Sequence, residues 1–189
     1  LSEQGSLLQL PSESGINLSF EAWKQNTNTF ETSAVGRLFD AAASLVLNRH
    51  TASFEGQGPM ELEQIAIGGC EPVPLSLELD SKGIYRSNWA PLLDVLADNA
   101  IPPARRAGIF HETMAQALVD QALSIRAGYD YAAVGLSGGV FQNRLLTEIV
   151  VDKLENQGIE VRLHRQIPAN DGGLCFGQIM EALAQSREQ

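Results

Sequence analysis

The chain has 189 residues, 44% of them apolar and 19% charged, which suits one ordinary domain or two small lobes and excludes disorder, collagen and coiled coil. No apolar stretch approaches the roughly 18 residues that a membrane span needs, Ala41 to Leu47 being the best. With 13 basic against 23 acidic side chains, the net charge of −10 repels nucleic acid and anionic membranes.

Residues 1–31 read as polar segments around short apolar clusters, the tail of a preceding element or a helix pair. Thr32 or Ser33 is then placed to cap a helix whose apolar positions Leu38, Phe39, Ala42, Leu45 and Val46 keep helical spacing. A turn follows at Phe54 to Pro59, then a short helix from Pro59 to about Ile67. Leu75 to Leu79 and Ile84 to Ser87 read as a strand pair turning at Ser81, Lys82 and Gly83. A helix is expected over Ala90 to Asn99. Pro102 and Pro103 open a longer one to about Arg126, with a buried stripe of Phe110, Met114, Leu118, Ala122 and Ile125 and a stop at Gly128. Tyr131 to Leu136 is a strand, Ser137-Gly138-Gly139 a turn, Val140 to Gln157 a helix and Ile159 to His164 a second strand. A loop from Pro168 to Gly173 leads into a closing helix from Leu174 to about Arg187. The order predicts a parallel strand pair joined by a right-handed crossover.

Three places have the residues for chemistry. In "LSGGVFQN", Leu136 to Asn143, two glycines between a strand and a helix let backbone N–H groups approach an anion beside a positive helix end. No Lys-Ser/Thr pair follows and a third glycine is missing, so it is neither a P-loop nor a dinucleotide fingerprint. Asn143, a few residues into the helix, can bond a base or ribose, and Arg144 is the one basic residue placed to meet an anion there. The alternative is a plain tight turn. In "PANDGG", Pro168 to Gly173, Asp171 is either a helix cap or a carboxylate aimed into a cleft. Asp40, within "TSAVGRLFDA", either faces water or lines a site, and Glu55, Glu61 and Glu63 downstream either supply a carboxylate pair or form a solvated surface.

His50, His111 and His164 lie far apart and form no HxxxH pair, so each reads as structural or surface. Cys70 and Cys175 make neither a disulfide framework nor a four-ligand zinc site, and Cys175 reads as packing. A reduced, cytoplasmic protein is the simplest expectation. The first residue, Leu1, and the lack of a secretory signal set the further expectation of a piece of a longer chain.

Together "TSAVGRLFDA", "FEGQGPMELE", "LSGGVFQN" and "PANDGGLCFGQ" resemble, in order, the C-terminal part of the HypF family, the carbamoyltransferases of nickel–iron hydrogenase maturation. That region is similar to the TsaD family of tRNA threonylcarbamoyl transferases. The resemblance implies an α/β fold: an RNase-H-like lobe of the actin-like ATPase (ASKHA) type with several packed helices. It makes residues 32–189 the nucleotide-binding lobe and residues 1–31 the remnant of a preceding one. It implies that Gly138 and Gly139 hold the phosphates or adenosine of ATP, that Asn143 reaches the nucleoside, that Asp40 meets the ribose and that Gly56 lines the same pocket. Asp171 matches a ligand of a divalent metal, iron or zinc in the wider family, whose other ligands come from an HxxxH pair in the preceding lobe. The implied activity is ATP-dependent transfer of a carbamoyl group from carbamoyl phosphate, through carbamoyl-adenylate, to the C-terminal cysteine of a HypE-like acceptor protein, with neither membrane nor nucleic acid involved. No residue is assigned as catalytic, and the lobe alone is expected to be inactive. The alternatives are a tRNA threonylcarbamoyladenosine transferase and a non-catalytic nucleotide-binding module.

Overall fold

The computed structural model describes residues 13–187, and the reading made for residues 1–12 lies outside them. A first helix, α1 (Glu13–Lys24), precedes α2 (Val35–Leu47) and α3 (Gln57–Ile65). Strands β1 (Leu77–Leu79) and β2 (Tyr85–Ser87) form an antiparallel pair, and α4 (Leu92–Ala97) and α5 (Pro103–Arg126) follow. Then come β3 (Ala133–Leu136), a 3-10 turn (Gly139–Gln142), α6 (Arg144–Asn156), β4 (Glu160–Leu163), a second 3-10 turn (Asp171–Gly173) and α7 (Leu174–Arg187). β3 and β4 pair in parallel, Ala133 opposite Glu160 and Leu136 opposite Leu163, with α6 as the connection.

The core is helical. Helix α2 buries Phe39, Ala42, Ala43 and Val46 on one face, α3 buries Leu62, and α6 buries Leu146, Val150 and Leu154. All pack around α5, whose Phe110 and Ala107 are fully buried. The rings of Phe39 and Phe110 meet edge to face at 4.7 Å, a favoured aromatic geometry. Gly108 lets the chain after α3 close on α5: a Cβ there would lie 2.1 Å from the Ile67 carbonyl oxygen. The Ile67 N–H donates to Ala104 O at 3.2 Å and closes that junction.

Several boundaries differ from the sequence reading for local reasons. Helix α2 starts at Val35 with no side-chain cap; Thr32 Oγ1 instead accepts the Ala34 N–H ahead of the helix. Helix α3 starts at Gln57, so Pro59 is its third residue, still within the turn that needs no intrahelical donor. At the end of the α5 stripe Ile125 is exposed rather than buried, because the helix runs on past the core. In the β1–β2 hairpin the Asp80 carboxylate accepts from the N–H groups of Lys82 and Ile84 and from Arg86 Nε. Those bonds, the Ile84 one foremost, hold its pKa below the ordinary carboxylate range.

Cys175 is exposed, not packed, because α7 lies at the surface with Leu174, Phe176, Ile179, Met180 and Leu183 open to solvent. Among the described residues no helix is long and apolar enough to cross a membrane.

Candidate functional site

The glycine turn departs from its expected form. The predicted helix from Val140 to Gln157 is broken, because Gly138 (φ 115°, ψ 155°) sends the chain into a 3-10 turn and α6 begins only at Arg144. Those angles lie in a region essentially reserved for glycine. Gly138 N–H donates to Ala169 O at 2.7 Å, tying the turn to the loop that carries Asp171. Phe141 N–H goes to Gly138 O and Asn143 N–H to Val140 O. The N–H groups of Gly139 and Val140 have no backbone partner among the described residues.

Asn143 is therefore the N-cap of α6, not a residue within it. Its Oδ1 accepts the Leu146 N–H at 2.8 Å, and its Nδ2 lies 2.9 Å from His111 Nε2. The next two donors of α6, the N–H groups of Arg144 and Leu145, both go to Glu63 Oε1, at 2.8 and 3.1 Å. The helix end expected to hold an external anion is thus occupied by a carboxylate of the protein itself. Arg144 pairs along its own helix with Glu148, whose hydrogen bond raises the already high guanidinium pKa.

The second loop separates the two readings of Asp171. Asn170 is the cap: its Oδ1 accepts the Gly172 N–H at 3.0 Å. Asp171 is exposed, and its carboxylate has no hydrogen bond or ion pair among the described residues. It lines a groove of about 500 Å³ with Gly138, Ser137, His164 and Glu181. His164 Nε2 and Ser137 Oγ approach to 3.1 Å across it. No group of three His, Cys, Asp or Glu side chains among the described residues is arranged to hold a metal ion, so the described donors do not complete a metal centre.

Asp40 and Gly56 share a different cleft, of about 520 Å³. Gly56 (φ 82°) is the left-handed residue that starts α3, and Asp40 pairs with Arg37 at 3.2 Å. His50 belongs to the same lining, and its Nε2 is buried with no partner. Of the two alternatives for the acids downstream, the carboxylate pair does not form: Glu55 is almost fully exposed, Glu61 pairs with Arg49 at 2.8 Å, and Glu63 serves α6. The structure thus brings Gly138 to Asp171 and Asp40 to Gly56, in two clefts whose linings share no residue. The sequence reading did not foresee Glu63 as the acceptor at the start of α6, Asn170 as the cap, or any role for the buried His111. A hint for His111 lay in its place beside Phe110 on the apolar face of α5.

A family model described as the carbamoyltransferase Kae1-like domain, second subdomain, of HypF matches residues 3–178. The chain belongs to the HypF carbamoyltransferase family. Carbamoyltransferase HypF of Rhizobium leguminosarum bv. viciae is 35% identical over 89% of this chain and 22% of its own length. HypF of Rhodobacter capsulatus is 39% identical over 81% of this chain and 20% of its own. The chain therefore spans about a fifth of the length of these curated relatives. The crystal structure of full-length HypF in a phosphate- and nucleotide-bound form superposes on 93% of this chain and 28% of its own, with a TM-score of 0.85 at 29% identity. The mixed helix–strand fold is that of this part of HypF.

Proposed function

We propose that this chain is the nucleotide-side lobe of an ATP-dependent carbamoyltransferase of the RNase-H-like, ASKHA type, working in the reducing cytoplasm. The parent enzyme joins the carbamoyl group of carbamoyl phosphate to the AMP part of ATP; the carbamoyl–phosphate link breaks and inorganic phosphate leaves, while ATP loses pyrophosphate. The C-terminal thiolate of a HypE-like acceptor then attacks the carbonyl carbon; a C–S bond forms and AMP leaves. The Cys70 and Cys175 thiols face the backbone carbonyls of Ile67 and Gly172, in keeping with a thiol supplied by the acceptor.

One observation carries this reading: the turn after Gly138 presents the N–H groups of Gly139 and Val140 without backbone partners among the described residues, and Gly138 itself lines one groove with the unpaired carboxylate of Asp171. Fixed N–H dipoles of that kind stabilise phosphate charge without reorganising during the reaction. The parallel β3–α6–β4 unit that carries the turn is in keeping with an RNase-H-like lobe. In this reading Gly138 and Gly139 hold phosphate, Asp40 and Gly56 border the ribose side, and Asn143, which keeps one amide hydrogen free of its two bonds, reaches the nucleoside edge. Asp171 contributes one ligand to a divalent cation whose other ligands lie outside the described residues. When bound, that cation would act as a Lewis acid.

The test is ATP–pyrophosphate exchange by the intact protein with and without carbamoyl phosphate. Exchange that requires carbamoyl phosphate is the expected result. Exchange that requires threonine and bicarbonate instead, or none at all, would overturn the assignment.

A further inference from the structure

His111 is fully buried in the middle of α5 and touches neither cleft lining, yet its ring joins the elements that bear both. Ring Nδ1 lies 2.8 Å from Ala107 O, an atom that can only accept, so Nδ1 carries the proton. Ring Nε2 lies 2.9 Å from Asn143 Nδ2. The orientation of that amide is fixed independently, because Asn143 Oδ1 accepts the Leu146 N–H. Nδ2 therefore faces the ring as a donor, and Nε2 must be bare to accept. Every polar atom of the pair is satisfied in one arrangement only.

The ring face is equally constrained. It meets Phe39 edge to face at 5.3 Å and Phe110 at 5.9 Å. Phe39 directly precedes Asp40 on α2. Asn143 directly follows the 3-10 turn, and its N–H bonds back to Val140. One side chain thus bears on the wall holding Asp40 and on the turn holding Gly138 and Gly139. Of the charged groups around it, α3 presents Glu63 and α5 presents Glu112, itself paired with Lys153 of α6 at 3.3 Å. From α2 it meets the Phe39 ring. Burial outweighs both carboxylates and holds the imidazole pKa below its ordinary value, which favours the neutral ring.

We propose that the Nδ1-protonated imidazole of His111 is a positioning residue for nucleotide binding: it latches Asn143 through Nε2 and thereby fixes the N–H groups of Gly139 and Val140. The proposal rests on the nucleotide reading above. It assigns His111 no contact with ATP. Its effect runs through the turn, so it depends on an acceptor at the Nε2 position rather than on bulk filling the pocket.

The experiment compares ATP affinity, by calorimetric titration of the intact protein well below its melting temperature, in wild type, His111→Leu and His111→Gln. Leucine fills the space but leaves Asn143 Nδ2 without an acceptor. Glutamine offers both a donor and an acceptor. The expected result is binding about tenfold weaker for leucine, the scale of one net buried hydrogen bond, with affinity restored by glutamine. A merely structural role would lower the melting temperature of both variants and leave the affinity of the folded protein unchanged. Should His111→Leu not fold, His111→Asn, a shorter amide, takes its place with the same expectation. The histidine ring nitrogens of the wild type should also show Nε2 as the unprotonated one in ¹⁵N spectra; a protonated Nε2 would overturn the latch. Absence of ATP binding by the wild type would remove the nucleotide reading itself. ATP binding by the wild type with unchanged affinity in a folded leucine or asparagine variant would remove the latch alone.

Discussion

Glu63→Ala tests whether the N-terminus of α6 is held by a carboxylate 81 residues away in sequence. The substitution takes away the acceptor shared by the N–H groups of Arg144 and Leu145. A hydrogen bond to a charged group contributes about 1.5–3 kcal/mol when water is excluded. Arg144 is exposed and Leu145 only half-buried, so water replaces part of the loss and the lower end applies. The charge–dipole contribution at a solvated helix terminus adds about 0.3–1 kcal/mol. The variant should therefore lose about 2 kcal/mol of stability, or roughly 4–8 °C in melting temperature for a chain of this length. Glu63→Gln keeps an acceptor oxygen but loses the charge, and should lose about 0.5–1 kcal/mol. Urea unfolding followed by circular dichroism measures both. The same variants provide an internal control, since Glu63→Ala leaves two N–H groups and a positive helix end facing solvent. Sulfate should then stabilise the alanine variant more than the wild type. A loss under about 0.5 kcal/mol, the range of an inert surface substitution, together with an identical sulfate response, would refute the carboxylate cap.

Gly138→Ala places a methyl group where nothing stands within 4 Å, so its effect comes from backbone angles alone. It should lower stability by about 1–3 kcal/mol in urea unfolding and weaken ATP binding. Asp171→Asn should leave unfolding within about 0.5 kcal/mol of wild type while abolishing carbamoyl transfer by the intact protein. Asn170→Ala, which removes the cap, should lose about 1 kcal/mol, and equal losses in the two variants would refute this division of roles. The depressed pKa of His111 has a definite sign: the stability it contributes is present above the unfolded value near 6.5 and is lost as pH falls below it, where the unfolded chain takes up the proton first. Between pH 7 and about 5.5 the wild type should therefore lose stability more steeply than His111→Gln, and equal slopes in pH-dependent unfolding would refute it.

The helices and the strand order were legible because each depends on residues adjacent in sequence. Pro103 at the first position fixed the start of α5, and the Phe110, Met114 and Ala122 positions fixed its buried face. The parallel pairing of β3 with β4 followed from the strand–helix–strand order. Legibility failed where two adjacent residues compete for one role. Asn170 and Asp171 both suit a helix start, and no spacing distinguishes which one turns its side chain back to the Gly172 N–H. It failed again at long range. Glu63 looks like any surface acid of a short helix, and only the packing of α3 against the start of α6 gives it two backbone donors. Cys175 was misjudged because an apolar helix start implies burial only if something covers it.

These misses bear on where a phosphate would sit. A glycine turn ahead of a helix ordinarily directs attention to the first helical N–H groups, and in α6 those belong to Glu63 and Asn143. The break at Gly138 sets the chain into a separate 3-10 turn, which moves the donors without backbone partners back to Gly139 and Val140. That displacement is toward the loop of Asp171, because the Gly138 N–H is bonded to Ala169 O, two residues before it. The same packing therefore closes the start of α6 with a protein carboxylate and leaves the N–H groups of Gly139 and Val140 without backbone partners among the described residues, which is where the proposed phosphate contact falls. Asn143 belongs to both events: its side chain completes the cap of α6, and its backbone ends the 3-10 turn. A residue in that position affects ligand affinity through the geometry it holds, whether or not it also touches the ligand. This is why the effect of Asn143 on binding has to be separated from that of His111 by variants that alter the ring and leave the asparagine intact.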